Sequence, residues 1–223
     1  MHSLTAGTDT TQYTMRWIIL LMANNMEMQL RMRHEINDII GDRVADNHHK
    51  NDCHYVNAFI AETLRYKGVA PLGVPHVALC DMQLGIRTQK QKNIYILITF
   101  CIISDNHLIK EDTIVMGNLL AVSRDPNLWP KPDVFDPNRF LDKDNKYMSA
   151  LPGFTPFGIG RRICLGEKLA LADLFYITVR LLKSTPDYVF ALPSGEGTAD
   201  LEPDPNILFL RVPKPYEIIL KKR

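Results

Sequence analysis

The sequence predicts a mainly α fold with small β-sheets, and three observations support this. Apolar residues recur at helical spacing through most of residues 1–70, and again from Cys164 to about Lys183. Elsewhere Gly and Pro interrupt short apolar runs, which suits small sheets rather than one large one. Of the 223 residues, 46% are apolar and 23% charged, ordinary values for a globular chain able to bury a core.

In chain order, the stretch Gln12 to Met22 is apolar with helix-compatible spacing. Glu27 to Ile40 follows, with Leu30, His34, Ile36, Ile39 and Ile40 set among charges and Gly41 as a C-cap. Asp42 to Asp52 is a polar loop. A third helix is expected from Tyr55 to about Tyr66, with Val56, Phe59, Ile60 and Leu64 on one face. Gly68, Pro71, Gly73 and Pro75 end the helical region. Short strands are expected within Val74 to Leu84 and Asp112 to Leu120. Asp125 to Phe140, with four prolines, is an ordered meander. A glycine-rich turn spans Gly153 to Gly160, and a long helix then starts near Cys164, presenting Leu165, Leu169, Leu171, Ala172, Phe175 and Val179. Tyr188 to Leu192 and Ile207 to Leu220 are expected as strands.

Composition excludes several functions. A net charge of +1 gives no global field for nucleic acid. The four cysteines, Cys53, Cys80, Cys101 and Cys164, lie far apart and form no CxxC pair, which fits a reducing compartment. The start, MHSLTAGTDTT, has no basic segment followed by an apolar one, so no signal peptide is expected. The apolar runs Trp17 to Met22 and Ile94 to Ile103 fall short of the roughly 20 residues that span a bilayer. His48, His49, Cys53 and His54 match no standard zinc spacing. Cys53, Cys80 and Cys101 are read as structural, and Met22, Met26, Met28 and Met32 as packing residues.

One window carries chemistry. Residues 157–166 read F-G-I-G-R-R-I-C-L-G. This resembles F-x-x-G-x-R-x-C-x-G, the haem-binding loop of the cytochrome P-450 family. Five fixed positions match by chance about once in a million windows or more rarely at average residue usage. The resemblance makes Cys164 the thiolate ligand of the iron of haem b (iron protoporphyrin IX). The thiolate would push electron density onto the iron, and the amides at the start of the following helix would favour it. Gly160 and Gly166 would let the backbone approach the macrocycle. Arg162 would bind a propionate, and Phe157 would shield the sulfur. A lone cysteine at a helix start would otherwise be read as structural.

Three further segments resemble family elements, in family order. Ala6-Gly7-Thr8-Asp9-Thr10-Thr11 resembles the oxygen-activating helix. There Gly7 gives room for dioxygen, and Thr10 with Asp9 relays protons; the plain alternative is a helix cap. Glu62-Thr63-Leu64-Arg65 is the E-x-x-R element, and Asp136-Pro137-Asn138-Arg139-Phe140 resembles the stretch after the meander. In the family Glu62, Arg65 and Arg139 form a buried network that locks the fold around the cysteine loop. The details look closest to the microsomal, drug- and fatty-acid-oxidising animal branch.

The resemblance implies the C-terminal part of the cytochrome P-450 fold. It implies a monooxygenase that inserts one atom of dioxygen into a small lipophilic substrate, with electrons from an NADPH-dependent reductase. Arg161, Arg162 and Lys168 are a candidate patch for that reductase, or else a solvated face. Val69 to Val74 and Asn206 to Leu208 match pocket-lining segments. Location at the endoplasmic reticulum membrane is expected for the family, with no targeting or anchor segment in this chain. Two departures stand out. The chain begins at the oxygen-activating helix, so 1–223 is read as a partial domain lacking the family's N-terminal half, with an apolar face left exposed. Residues 86–106 are an atypical insertion, read as translated intron, the alternative being a natural hairpin. The rival to the enzyme reading is a truncated, non-enzymatic fragment that binds haem weakly or not at all.

Overall fold

The computed structural model describes residues 2–84 and 107–223; the 86–106 insertion lies outside them. Six helices are described: α1 (His2–Ala23), α2 (Met26–Ile39), α3 (Asn47–Asp52), α4 (His54–Tyr66), α5 (Leu119–Arg124) and α6 (Glu167–Lys183). The strands β1 (His76–Val77), β2 (Met82–Leu84), β3 (His107–Ile109), β4 (Ile114–Val115), β5 (Tyr188–Ala191) and β6 (Ile219–Lys222) pair antiparallel as β1–β4, β2–β3 and β5–β6. The expected mainly α fold with small sheets is what forms.

The main core lies where α1, α2, α4 and α6 meet β5. Leu20 to Ala23 are all buried, so the end of α1 is covered on every side. A helix that is apolar all round belongs in such a centre. Around it pack Met32 and Ile36 of α2, Val56 and Phe59 of α4, and Phe175 and Val179 of α6.

The buried face of α2 differs from the sequence expectation. Leu30 and His34 are exposed, whereas Gln29, Met32, Arg33 and Ile36 are buried. The two polar residues are inside because tertiary partners satisfy them. Gln29 Nε2 donates to Phe190 O at 2.9 Å, and Gln29 Oε1 accepts from Phe190 N at 2.9 Å. Arg33 donates to Leu182 O at 2.5 Å and Thr185 Oγ1 at 3.0 Å, at the end of α6. In return Lys183 Nζ donates to Gly41 O at 2.6 Å and Arg43 O at 2.5 Å, past the end of α2. Each helix thus supplies a cation to the other's C-terminal carbonyls, where the dipole favours one.

Other boundaries shift for local reasons. The expected loop 42–52 contains α3, because Asp46 and His49 form a capping box. Leu119 and Leu120 enter α5 rather than a strand, since the Asn118 side chain accepts from Ala121 N at 2.9 Å and caps that turn. Of the expected strand region 207–220, only β6 pairs within a sheet; Pro203 and Pro213 form an isolated bridge. Cys53 is buried, as a structural cysteine should be, but Cys80 is exposed. Met22 and Met32 are core residues.

The N-terminus of α4 is held in trans. Glu35 accepts from Tyr55 N at 2.7 Å and Val56 N at 2.8 Å, filling two amides that a helix start leaves open. A second, smaller core forms beneath α4, where Ala58 and Ala61 meet Trp129 and Phe140 of the meander.

Candidate functional site

Glu62 and Arg65 lie one turn apart on α4 and are fully buried. Arg65 Nε donates to Glu62 Oε2 at 2.6 Å, and Nη2 to Oε1 at 2.7 Å. Arg65 also donates to the carbonyl of Ser123 at the end of α5 (2.8 Å) and to the meander carbonyls of Pro132 (3.0 Å) and Val134 (3.3 Å). Arg139 Nε lies 3.5 Å from Glu62 Oε1, and the Arg139 guanidinium binds the carbonyls of Pro130 and Lys131. Asp136 N donates to Glu62 Oε1 at 2.9 Å. The three residues thus meet in one network that also ties down the meander. Burial pushes the Glu62 carboxyl above its ordinary range, against the Arg65 hydrogen bonds.

The cysteine loop leaves the meander and enters α6. Cys164 N donates to Phe157 O at 3.0 Å, and Glu167 N to Cys164 O at 3.3 Å, so the cysteine sits on the turn that starts the helix. Cys164 is exposed, and Phe157 is half-buried against the main core. Gly160 has φ +75°, and a Cβ there would meet nothing within 4 Å. Gly166 lies under the thiol: a Cβ on it would be 3.8 Å from Cys164 Sγ. Ile163, Leu165 and Leu169 are exposed around the cysteine. This departs from the expected α6 face, of which Phe175 and Val179 are buried but Leu165 and Leu169 are not. Arg162 is exposed and makes no hydrogen bond or ion pair among the described residues.

An exposed thiol, three exposed apolar side chains, an open glycine and an unengaged guanidinium suit a flat apolar group that bears a metal and an acid. Haem has that chemistry. Cys164 would ligate its iron and Arg162 would meet a propionate.

Asp9 and Thr10 are half-buried on α1, and Thr10 O accepts from Thr14 Oγ1 at 2.8 Å. Helix α1 packs on α6, where Thr178 Oγ1 faces Met15 Sδ at 4.0 Å. That contact is about 8 Å along α1 from Thr10 and about 16 Å along α6 from Glu167. The two candidate groups therefore lie on a pair of helices that pack together.

Of the two expected pocket segments, Val69 is tied to the C-terminal tail three residues beyond Leu208. Arg211 N donates to Val69 O at 2.9 Å, and Arg211 Nη1 to Tyr66 O at 3.3 Å. Within or next to these two segments, Leu72, Val74, Leu208 and Phe209 are exposed. Sequence reading missed Arg211 and Lys67, which hold the tail here. Lys67 is buried, donates to Leu201 O at 2.5 Å and lies 4.5 Å from the centre of the Tyr66 ring. Burial lowers its ammonium to about 8. Only the positions of Lys67 just after Tyr66 and of Arg211 among apolar residues could have hinted at these roles. Among the described residues, no cluster of His, Cys, Asp or Glu could hold a metal ion, and no helix is long and apolar enough to cross a membrane.

The sequence profile of the family described as Cytochrome P450 matches residues 1–101 and 97–220. Cytochrome P450 2K6 of Danio rerio is 35% identical over 218 residues, 98% of this chain and 38% of the relative. Steroid 17-alpha-hydroxylase/17,20 lyase of Squalus acanthias is 35% identical over 199 residues, 88% of this chain and 35% of the relative. Cytochrome P450 2U1 of Rattus norvegicus is 33% identical over 219 residues, 98% of this chain and 36% of the relative. The chain thus spans between a third and two fifths of the length of these curated relatives.

Proposed function

The chain belongs to the cytochrome P450 family, and from that premise we propose that it serves a haem-thiolate monooxygenase acting on a lipophilic substrate. The observation that carries this is the exposed Cys164 thiol at the start of α6, ringed by exposed apolar side chains beside the open Gly160. Bound haem would supply the binding and activation of dioxygen at its iron. Cys164 would hold the iron as an anionic ligand at the turn that starts α6, where the helix dipole favours negative charge. Arg162 would pair with a propionate. Thr10 holds a proton on its hydroxyl, and Asp9 resupplies it from the solvent side as a general acid. Glu62, Arg65 and Arg139 touch no reacting atom; they fix the meander on which the cysteine loop rests. The Val69–Val74 and Asn206–Leu208 segments face the substrate with apolar side chains.

Electrons come from an NADPH-dependent reductase. The exposed Arg161, Arg162 and Lys168 offer a cationic face for an acidic partner. The animal cytochrome P450 relatives support association with the endoplasmic reticulum membrane. Residues 86–106 are translated intron in this reading; a transcript that retains these codons in most copies rejects that.

The test is haem uptake. The 223-residue chain is expressed with haem, reduced and exposed to carbon monoxide. A Soret band shifted in the thiolate manner is expected. No haem uptake favours the rival, a non-enzymatic fragment.

A further inference from the structure

The cysteine loop is attached to the rest of the fold in an unusual way. Phe154 N donates to Leu151 O, Gly158 N to Thr155 O, Ile163 N to Gly160 O and Cys164 N to Phe157 O. Among the described residues, these backbone bonds all close on the loop itself. Nothing of that kind ties residues 151–163 to the meander or to α4. Their seat is made of side chains.

That seat can be traced outward from the buried ion pair. The Arg65 guanidinium lies 5.3 Å from the centre of the Trp129 ring. Trp129 is buried, and its Nε1 donates to Val122 O at 3.1 Å. Its ring is 5.7 Å from that of Phe140, which is fully buried. Phe140 in turn meets Phe154 edge to face, with centres 4.7 Å apart and planes at 69°. Phe154 belongs to the cysteine loop. The residue before it, Gly153, has φ +79°, and a Cβ there would stand 2.7 Å from Leu128 Cδ1 and 3.3 Å from Trp129 Nε1. The backbone therefore passes close to the side chains of Leu128 and Trp129 at that point, and its positive φ favours glycine there.

We infer that Trp129, Phe140 and Phe154 are positioning residues that seat the Cys164 loop on the Arg65 hub, with Gly153 as the point of closest approach. As a claim about the iron ligand, this rests on the function proposed above. As a claim about the loop, it stands without haem. Edge-to-face ring pairs are directional. The edge-to-face pair of Phe140 and Phe154 can therefore fix the loop's angle as well as its depth, which aliphatic packing does poorly.

Hydrogen exchange on the haem-free chain tests the loop claim. In Phe154→Ala, the amides of Ile163 and Cys164 are expected to exchange roughly tenfold faster or more, from the loss of the ring pair and the void left behind. The amides of Ile60 and Leu64 in α4 are expected to stay within about twofold of wild type, since small packing losses at a loop open it locally. Phe154→Leu, which retains apolar bulk, gives an intermediate acceleration, and Gly153→Ala accelerates the same amides. The inference is overturned if Cys164 exchange stays near wild type in all three variants. It is also overturned if loop and α4 amides accelerate together, because the rings would then stabilise the fold without positioning the loop. With haem, the same variants are expected to lose thiolate-type carbon monoxide adduct in the order of their exchange rates. A wild-type chain that takes up no haem defeats the proposed function, while the exchange ratios still decide the positioning role.

Discussion

Replacing Arg65 with Met removes the cation from a pair that has no access to water. Glu62 would keep Asp136 N at 2.9 Å and Arg139 Nε at 3.5 Å, neither of which matches the two short bonds it loses. Ser123 O and Pro132 O would lose their Arg65 donor, and Val134 O would retain only the longer Arg139 bond of 3.4 Å. Breaking a buried pair on one side costs about 3–5 kcal/mol. The orphaned carbonyls put Arg65→Met at the upper end, about 4–5 kcal/mol. At the lower end of the usual total stability of about 5–15 kcal/mol, that is enough to leave a large share of the chain unfolded at 37 °C. Glu62→Gln, which keeps the shape but leaves Arg65 charged and unbalanced, is expected to cost about 3 kcal/mol. The double variant should cost at least about 2 kcal/mol less than the sum, because each single change already leaves a stranded charge that the second removes. Urea unfolding followed by circular dichroism at pH 7 gives all three values. An Arg65→Met cost below about 1 kcal/mol, or strict additivity in the cycle, would refute the reasoning that this pair holds the meander.

Three other outcomes are expected. Cys164→Ser should abolish the thiolate-type carbon monoxide band while changing unfolding free energy by less than about 0.5 kcal/mol, since the residue is exposed; a retained band excludes this cysteine as the ligand. Thr10→Ala should lower product formation by about 10²-fold or more with haem uptake unchanged, as loss of a general acid does; unaltered turnover removes Thr10 from the relay. Burial lowers Lys67 from 10.5 to about 8, so between these values the unfolded chain binds a proton that the fold does not, and stability rises with pH across that window by up to about 3 kcal/mol. Below about pH 8 the penalty is fully present. Cys53, whose thiol is pushed up to about 12, gives the opposite slope above about pH 9, so the measurement is the difference between wild type and Lys67→Met. Parallel pH profiles for the two would show that Lys67 is not penalised in the fold.

What could be read in advance follows from how far each signal reaches along the chain. The cysteine loop is a contiguous pattern: Gly160 marks a positive φ and Cys164 a turn into a helix, and both are local backbone facts. The E-x-x-R pair is likewise local, one helical turn apart. Helix α3 was missed although its cap, Asp46 with His49, is equally local; the histidine in the glutamate position of the capping box hid it. The buried face of α2 was misjudged because hydrophobicity alone ranks Leu30 above Gln29 and Arg33. Gln29 is inside only because Phe190, 161 residues away, presents an N–H and a C=O to it.

By itself, then, the sequence determined the family, the fold class, the longer helices and the identities of the candidate ligand, relay and locking residues, since each rests on residue type and short spacing. The tertiary structure alone decided that Arg65 gathers the carbonyls of Ser123, Pro132 and Val134 and the Trp129 ring. It alone brought Arg211 to Val69 and Tyr66, left Leu165 and Leu169 facing outward, and made the seat of the Cys164 loop aromatic. Those contacts join residues far apart in sequence, and packing, not propensity, selects among the partners that composition would allow.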